Sequence, residues 1–179
     1  MMDKRNIRLI VNNSGGTSSK GSKTYRVTIP NNWIERLGLN ENRRDLSIAF
    51  DGEKIIISPK LSMAEYVAKH SNNNLIRLKF YDKDTLCTSI IADYTTKEIR
   101  IKNYINDNNY TAFGINTAPD WSDYLSFLEE RCIPRTRSGL KEYLDAIGVD
   151  EYDPLEIIKK TKGRMAEDNY RIEVCKNDG

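Results

Sequence analysis

Two groups of basic residues near the carboxyl end of the chain are the first candidates for binding chemistry. One surrounds Pro134 and consists of Arg131, Arg135, Arg137 and Lys141. Guanidinium forks beside a helix can bind anions, either phosphates or the carboxylates of a protein partner. The other consists of Lys159, Lys160, Lys162 and Arg164, near a predicted helix end, where cations gather regardless of function. A plainer interpretation stays open, in which these are solvated charges or internal ion pairs with Glu129, Glu130, Glu167 and Asp168.

Acidic residues in the same region do not predict catalysis. Carboxylates at Asp150, Glu151, Asp153, Glu167 and Asp168 could in principle hold magnesium for a nuclease. Their spacing reproduces no carboxylate triad, and Asp153-Pro154 is a typical helix start. The sequence therefore predicts a protein that is not an enzyme and needs no cofactor.

The sulfur and imidazole groups also exclude common kinds of site. Cys87, Cys132 and Cys175 are widely spaced and form no Cys-x-x-Cys pair, and His70 is the only histidine. Zinc binding and Ser-His chemistry are thus not expected, and no metal site is predicted. Three unpaired thiols, with no signal peptide and no long apolar span, predict a cytoplasmic protein without membrane contact.

Charge is distributed unevenly along the 179 residues. The chain has a net charge of +2, but residues 1–60 hold 11 Lys and Arg against 6 Asp and Glu, whereas residues 61–179 hold 17 against 20. A basic first third and a slightly acidic remainder predict that nucleic acid binds at the amino-terminal end.

Residues 23–60 contain the elements that must position any such site. Tyr25–Ile29 is a short β-rich run that ends at Pro30, a suitable residue for the first turn of a helix. A short helix should follow, with Gly38 at its end. Two further β-rich runs flank Asp51-Gly52, a dipeptide typical of hairpin turns.

This segment resembles the swapped-hairpin DNA-binding domain of the AbrB/SpoVT/MazE-like families. The resemblance rests on Arg26-Val27-Thr28-Ile29-Pro30, on Leu37-Gly38-Leu39, on Asp45-Leu46-Ser47-Ile48 and on the hairpin that begins at Asp51. It implies a homodimeric β-barrel of interleaved hairpins, with a basic face on double-stranded DNA. Arg26 matches the family's Arg, whereas Tyr25 replaces the usual Gly, and Ile34 and Glu35 stand where some members have paired Arg.

The resemblance also brings the neighbouring basic residues into the predicted DNA-binding face. Arg8 lies in the preceding strand-like run and aligns only loosely. Residues 12–22 form a Gly/Ser-rich loop that holds Lys20, and Lys23 comes just after it. Such a loop could become ordered on phosphates, although a solvated loop without a partner is the alternative. A nucleotide-binding P-loop is excluded, because Ser22 stands where that motif needs Lys.

The remainder predicts a linker over residues 61–74 and a second domain over residues 75–179. Strands are expected at Leu75–Tyr81, Leu86–Ala92 and Glu98–Lys102, with a fourth at Tyr110–Ile115. Three helices should follow, near residues 120–130, 137–147 and 154–162, before a last short strand at Asn169–Val174. The fold class is thus α+β, with helices packed on a small antiparallel sheet.

The functional hypothesis is a homodimeric transcription regulator. Domain 1–60 would bind operator DNA, and domain 75–179 would bind a protein partner or dimerise, as in an antitoxin that represses its own promoter. The alternative is a protein-binding inhibitor of a toxin or host nuclease from a mobile element, with DNA binding used for autoregulation.

Overall fold

The computed structural model of the chain describes residues 3–13 and 23–175. The chain divides after Lys60 into an amino-terminal unit, Met1–Lys60, and a carboxy-terminal unit, Leu61–Gly179. Both units combine helices with small antiparallel sheets, so the predicted α+β class is confirmed. No helix in the described ranges has both the length and the apolar composition needed to cross a bilayer.

The amino-terminal unit consists of two hairpins and a short helix. Its elements are β1 (Ile10–Asn13), β2 (Lys23–Arg26), α1 (Asn31–Arg36), β3 (Leu46–Phe50) and β4 (Ile55–Pro59). Helix α1 follows Pro30 and ends before Gly38, whose φ of 68° lies in the left-handed region that glycine adopts freely. Between β3 and β4, the Asp51 carboxylate accepts hydrogen bonds from the backbone N–H groups of Glu53 and Lys54.

The predicted barrel is not found in the part of this unit that the structure describes. Strands β1 and β2 form one two-stranded sheet, and β3 and β4 form another. Two strands leave open edges on both sides, and a closed barrel needs further strands to pair with them. Leu39 is the unit's only buried apolar side chain among its described residues.

The carboxy-terminal unit is built on one four-stranded antiparallel sheet of order β7-β6-β5-β8. Its elements are α2 (Met63–Lys69), β5 (Leu75–Asp82), β6 (Thr85–Asp93), β7 (Glu98–Asn103), α3 (Trp121–Glu130), α4 (Leu140–Ile147), α5 (Pro154–Thr161) and β8 (Tyr170–Cys175). The first three strands follow one another as a meander, whereas β8 arrives after the helices and pairs with β5.

One face of this sheet is covered by α3, α4 and α5. Side chains at alternate strand positions, among them Leu78, Ile90 and Ile172, meet Tyr124 and Ile158 of the helices in a single buried core. Because these helices lie on one face, the side chains at the other alternate positions point away from the core.

Residues 61–74, expected as a linker, belong instead to the carboxy-terminal unit. Helix α2 begins with a capping box between Ser62 and Glu65. Tyr66 is fully buried and packs with Leu75 and Ile91 in a small second core. The unit therefore has four α-helices in its described part, which are α2 and the three predicted for residues 75–179.

The strand predicted at Tyr110–Ile115 is wrong. A single 3₁₀ turn occupies Asn108–Tyr110, and turns follow it. The hydroxyl of Thr111 donates to the carbonyls of Asn108 and Gly114. Such local side-chain bonds compete with a strand's ladder, which explains the difference.

Candidate nucleic-acid and partner interfaces

The predicted DNA-binding residues lie at the first hairpin. Arg8 is exposed and lies just ahead of β1, and Lys23 and Arg26 are exposed at the two ends of β2. Lys20 lies outside the described residues. Arg26 pairs in register with Ile10 and Lys23 with Asn13.

The strand geometry does not bring Lys23 and Arg26 to one face of this hairpin. Successive side chains of a strand alternate between its faces, and these two residues are three positions apart. Arg26 shares its face with Thr24 and Asn12, so the part of β2 that could lie on a phosphate backbone with Arg26 excludes Lys23. Within the described ranges the Arg26 guanidinium forms no ion pair.

Exposed apolar side chains cover the second hairpin. Ile48, Phe50 and Ile55 are 71%, 70% and 66% exposed, and Phe50 and Ile55 are direct cross-strand partners. Twelve of the seventeen large apolar side chains exposed in the described structure belong to the amino-terminal unit. A soluble monomer rarely exposes so contiguous an apolar surface, and a hairpin of this kind is typical of an interface.

The four members of the basic group around Pro134 differ in their exposure to solvent. Arg131 is buried at 9% exposure, and its Nε and Nη2 donate to the carbonyl of Gly163 at 3.0 and 2.8 Å. Its guanidinium also forms a two-pronged ion pair with Asp168, at 2.5 and 3.0 Å. That ion pair holds the pKa of the Asp168 carboxyl below its usual value, against the opposing effect of burial. Arg131 therefore makes its hydrogen bonds within the carboxy-terminal unit, and we do not include it among the candidate partner-binding residues.

The other three members of that group are exposed. Arg135 donates to Glu129 at 2.8 Å and lies over the ring of Tyr152 at 4.1 Å. The side chains of Arg137 and Lys141 have no ion pair in the described part of the chain and lie just before and within the first turn of α4. The internal pairs weighed as the alternative thus form for Arg131 and Arg135, and two unpaired cations remain.

Sequence reasoning missed a second set of cations, which lies on the sheet of the carboxy-terminal unit. Arg77 and Lys79 of β5 and Arg100 and Lys102 of β7 occupy the face opposite α3, α4 and α5. We call these four residues the basic sheet face. Their signal was present as a charge at every second position of two predicted strands, but the net negative charge of residues 61–179 concealed it.

A buried carboxylate lies beside this face, beneath α2. Asp93 accepts hydrogen bonds from the Tyr66 hydroxyl at 3.0 Å and from Asn73 Nδ2 at 2.7 Å, and from the backbone N–H groups of Thr95 and Thr96. Burial alone would raise the pKa of Asp93, but these donors outweigh it and lower the pKa to about 2. The hydrogen bonds from Tyr66 and Asn73 thus connect α2 and the turn after it to the sheet.

Comparisons of the chain with protein-family models, with curated proteins and with solved structures found no match.

Proposed function

We propose that this protein is a homodimeric DNA-binding transcription regulator whose amino-terminal unit binds double-stranded DNA. The observation that carries the proposal is the exposed apolar hairpin of β3 and β4, which α1 separates in the chain from the strand that presents Arg26. A unit of around sixty residues, with one buried apolar side chain in its described part, cannot form a stable core alone. A second copy that interleaves its hairpins would bury this surface and complete the barrel that the sequence motifs imply.

The basic character of the unit supports DNA as its ligand. Residues 1–60 carry a net charge of +5, so a dimer would present roughly twice that to a duplex. Phosphate contacts of this kind release counterions and make binding strongly dependent on salt. Arg8 and Arg26 are the described residues that we place on the phosphates, whereas Lys23 lies on the opposite face of β2 and is not part of this contact. Lys20, outside the described residues, stays a candidate from the sequence.

The experiment that tests this function is a gel shift of the full chain with its own promoter fragment, measured against salt. Arg26→Glu should weaken duplex binding and flatten the slope of log K against log salt by about 1.8, which is about 0.9 for each of the two contacts that a dimer would lose. Arg137→Glu, an equal charge change on the other unit, is the matched control and should bind as the wild type does. Normal promoter binding by Arg26→Glu would show that the assignment is wrong.

A second candidate function is capture of an acidic protein partner by the carboxy-terminal unit, as in an antitoxin or an inhibitor of a nuclease. The observation that favours it is the pair of exposed cations, Arg137 and Lys141, that no carboxylate in the described chain neutralises. Arg135 lies near them in the chain but forms an ion pair with Glu129. Free thiols at Cys87, Cys132 and Cys175 agree with a cytoplasmic location for either function.

A further inference from the structure

The face of the four-stranded sheet that α3, α4 and α5 leave uncovered is only partly covered by α2. Helix α2 packs over Leu75 and Ile91, at one end of this face. Arg77 of β5 and Arg100 of β7 flank Ile91 at the edge of α2, and the Arg100 guanidinium lies 4.7 Å from the centre of the Tyr66 ring. Lys79 of β5 and Lys102 of β7 lie in the next row, beyond α2. Ser89 of the central strand β6 is the register partner of both Lys79 and Lys102, so it lies between them.

These positions form a regular array of positive charge. Side chains two apart on a strand are separated by about 6.7 Å, and those two strands apart by about 9.6 Å. Arg77 and Arg100 therefore form one row across the sheet, and Lys79 and Lys102 form the next. Arg171 of β8 and Tyr81 of β5 extend the face further.

Most of this charge is not neutralised within the unit. Arg100 pairs with Glu98 and Arg171 with Glu173, but the structure gives Arg77, Lys79 and Lys102 no ion pair among the described residues. The Nε of Arg77 is buried and has no hydrogen-bond acceptor. Five cations thus share this face with three carboxylates, which are Glu98, the buried Asp93 and Glu173, the register partner of Lys79. The face keeps an excess of positive charge in a unit whose net charge is −3.

We propose that the basic sheet face binds single-stranded nucleic acid. Its positive charge complements a phosphate backbone, and the spacing of about 6.7 Å along each strand suits successive phosphates of an extended single strand. Between the two lysines, the Ser89 hydroxyl donates to the Tyr104 hydroxyl, whose own proton can be donated to a phosphate oxygen. The amino-terminal unit carries a net charge of the same sign and offers this face no charge complementarity.

The width of the sheet favours a single strand over a duplex. Four strands span about 14 Å between the outer two, whereas the major groove of B-DNA is about 12 Å wide and admits a helix or a two-stranded ribbon. A flat four-stranded face therefore cannot enter the groove of an undistorted duplex. A single strand can lie across it with its bases splayed out.

Tyr104 supplies a side chain on which a base can stack. It follows β7 directly, is about half exposed, and has its hydroxyl 3.4 Å from the Ser89 hydroxyl. Lys102 lies 4.9 Å from the centre of its ring. Aromatic rings beside cations are the usual combination in proteins that bind single strands without sequence preference.

The test is fluorescence anisotropy with the full chain and a labelled single-stranded oligonucleotide of about 15 nucleotides, against a duplex of the same sequence. Lys79→Gln/Lys102→Gln should weaken single-strand binding about tenfold near 0.15 M salt and reduce the log–log salt slope by about 1.4, the value for two phosphate contacts. Lys160→Gln/Arg164→Gln removes the same charge from exposed positions off this face and should leave binding unchanged. With 5-iodouracil in the oligonucleotide, light should cross-link it to Tyr104.

Three results would overturn the proposal. The first is that the wild-type protein does not bind the single strand, and the second is that both double variants lose affinity equally. The third is that the basic sheet face binds an acidic polypeptide and no single-stranded oligonucleotide. Failure here is distinguishable from failure of the proposed duplex function, because Arg26→Glu should keep its single-strand binding while it loses the promoter.

Discussion

Arg131 and Arg137 belong to the same basic group in the sequence, yet they differ in burial and in hydrogen bonding. Arg131 is buried and bound by Gly163 and Asp168, whereas Arg137 is exposed and unpaired among the described residues. A guanidinium that loses its water must recover those hydrogen bonds inside the protein, and Arg131 does so with three of its nitrogens. Composition alone cannot separate the two, because the difference lies in what packs around each.

We predict that Arg131→Ala lowers the free energy of unfolding by about 3 kcal/mol, since the Gly163 carbonyl loses the donors of Arg131 and the Asp168 carboxylate keeps only the Tyr170 N–H. Arg137→Ala, as the control, should change it by less than about 0.5 kcal/mol, the range for exposed sites. Urea unfolding followed by circular dichroism measures both. Equal stability of the two variants would contradict the buried role of Arg131.

Helix α2 shows what decides the position of an element that is too short to be stable alone. Its seven residues carry one large buried side chain, Tyr66, and a short helix of this kind depends on tertiary packing. The Tyr66 hydroxyl and Asn73 both donate to Asp93, so the middle of α2 and the turn after it are bonded to the same carboxylate of the sheet. Since these donors lower the pKa of Asp93, its charged form stabilises the fold more than its protonated form does.

The pH dependence of stability follows from Asp93. Its pKa is about 2 in the folded state against 3.8 for the free side chain, so its contribution is complete above about pH 4 and is lost as the pH falls toward 2. The shift corresponds to about 2 kcal/mol. Denaturant unfolding between pH 2 and 5 should show this loss in the wild type and a flatter profile in Asp93→Asn. Asp150→Asn, at an exposed carboxylate, should retain the wild-type profile, and an equally steep profile in Asp93→Asn would rule out the assignment.

Elements with strong local signals were predictable, and those that depend on distant partners were not. Asp153 caps α5 as the sequence predicts, and Asp120 at the start of α3 and Gly148 at the end of α4 are residue types typical of these positions. The packing of α2 on the sheet was missed because nothing local to Tyr66 reveals that Leu75 and Ile91 cover it. At the candidate sites, exposure of Arg26 agrees with a binding role that stays a prediction, whereas burial of Arg131 depends on residues 32 to 37 positions away.

At the scale of the whole molecule, the two units differ in how much of their apolar side-chain surface is buried. The carboxy-terminal unit has a continuous buried core, whereas the amino-terminal unit leaves its apolar hairpin in water. Burial of apolar surface supplies most of the free energy of folding, at about 25 cal/mol per Å². In the proposed homodimer the amino-terminal unit would gain its stability from association, and its folding and its oligomeric state would be linked.

We predict that Phe50→Asp converts the protein from a dimer to a monomer, because a charge at this position opposes burial of the hairpin. Sedimentation equilibrium of the full chain at micromolar concentration measures this. Ile115→Asp replaces a side chain that is 85% exposed in the carboxy-terminal unit and should remain dimeric. A monomeric wild type, or a dimeric Phe50→Asp variant, would refute the association.

Strand β8 is synthesised long after β5, the strand with which it pairs, and this order affects the nascent chain. Strand β5 ends at Asp82, and its partner β8 begins only at Tyr170. At about 5–20 residues per second, a ribosome needs roughly 4 to 18 s to add the residues between them. Throughout that time the nascent chain holds an unpaired strand edge beside Leu78 and Phe80, both of which are buried once the sheet is complete. This interval is when the newly made chain is most exposed to aggregation, and chaperones that bind apolar strands would act on it then.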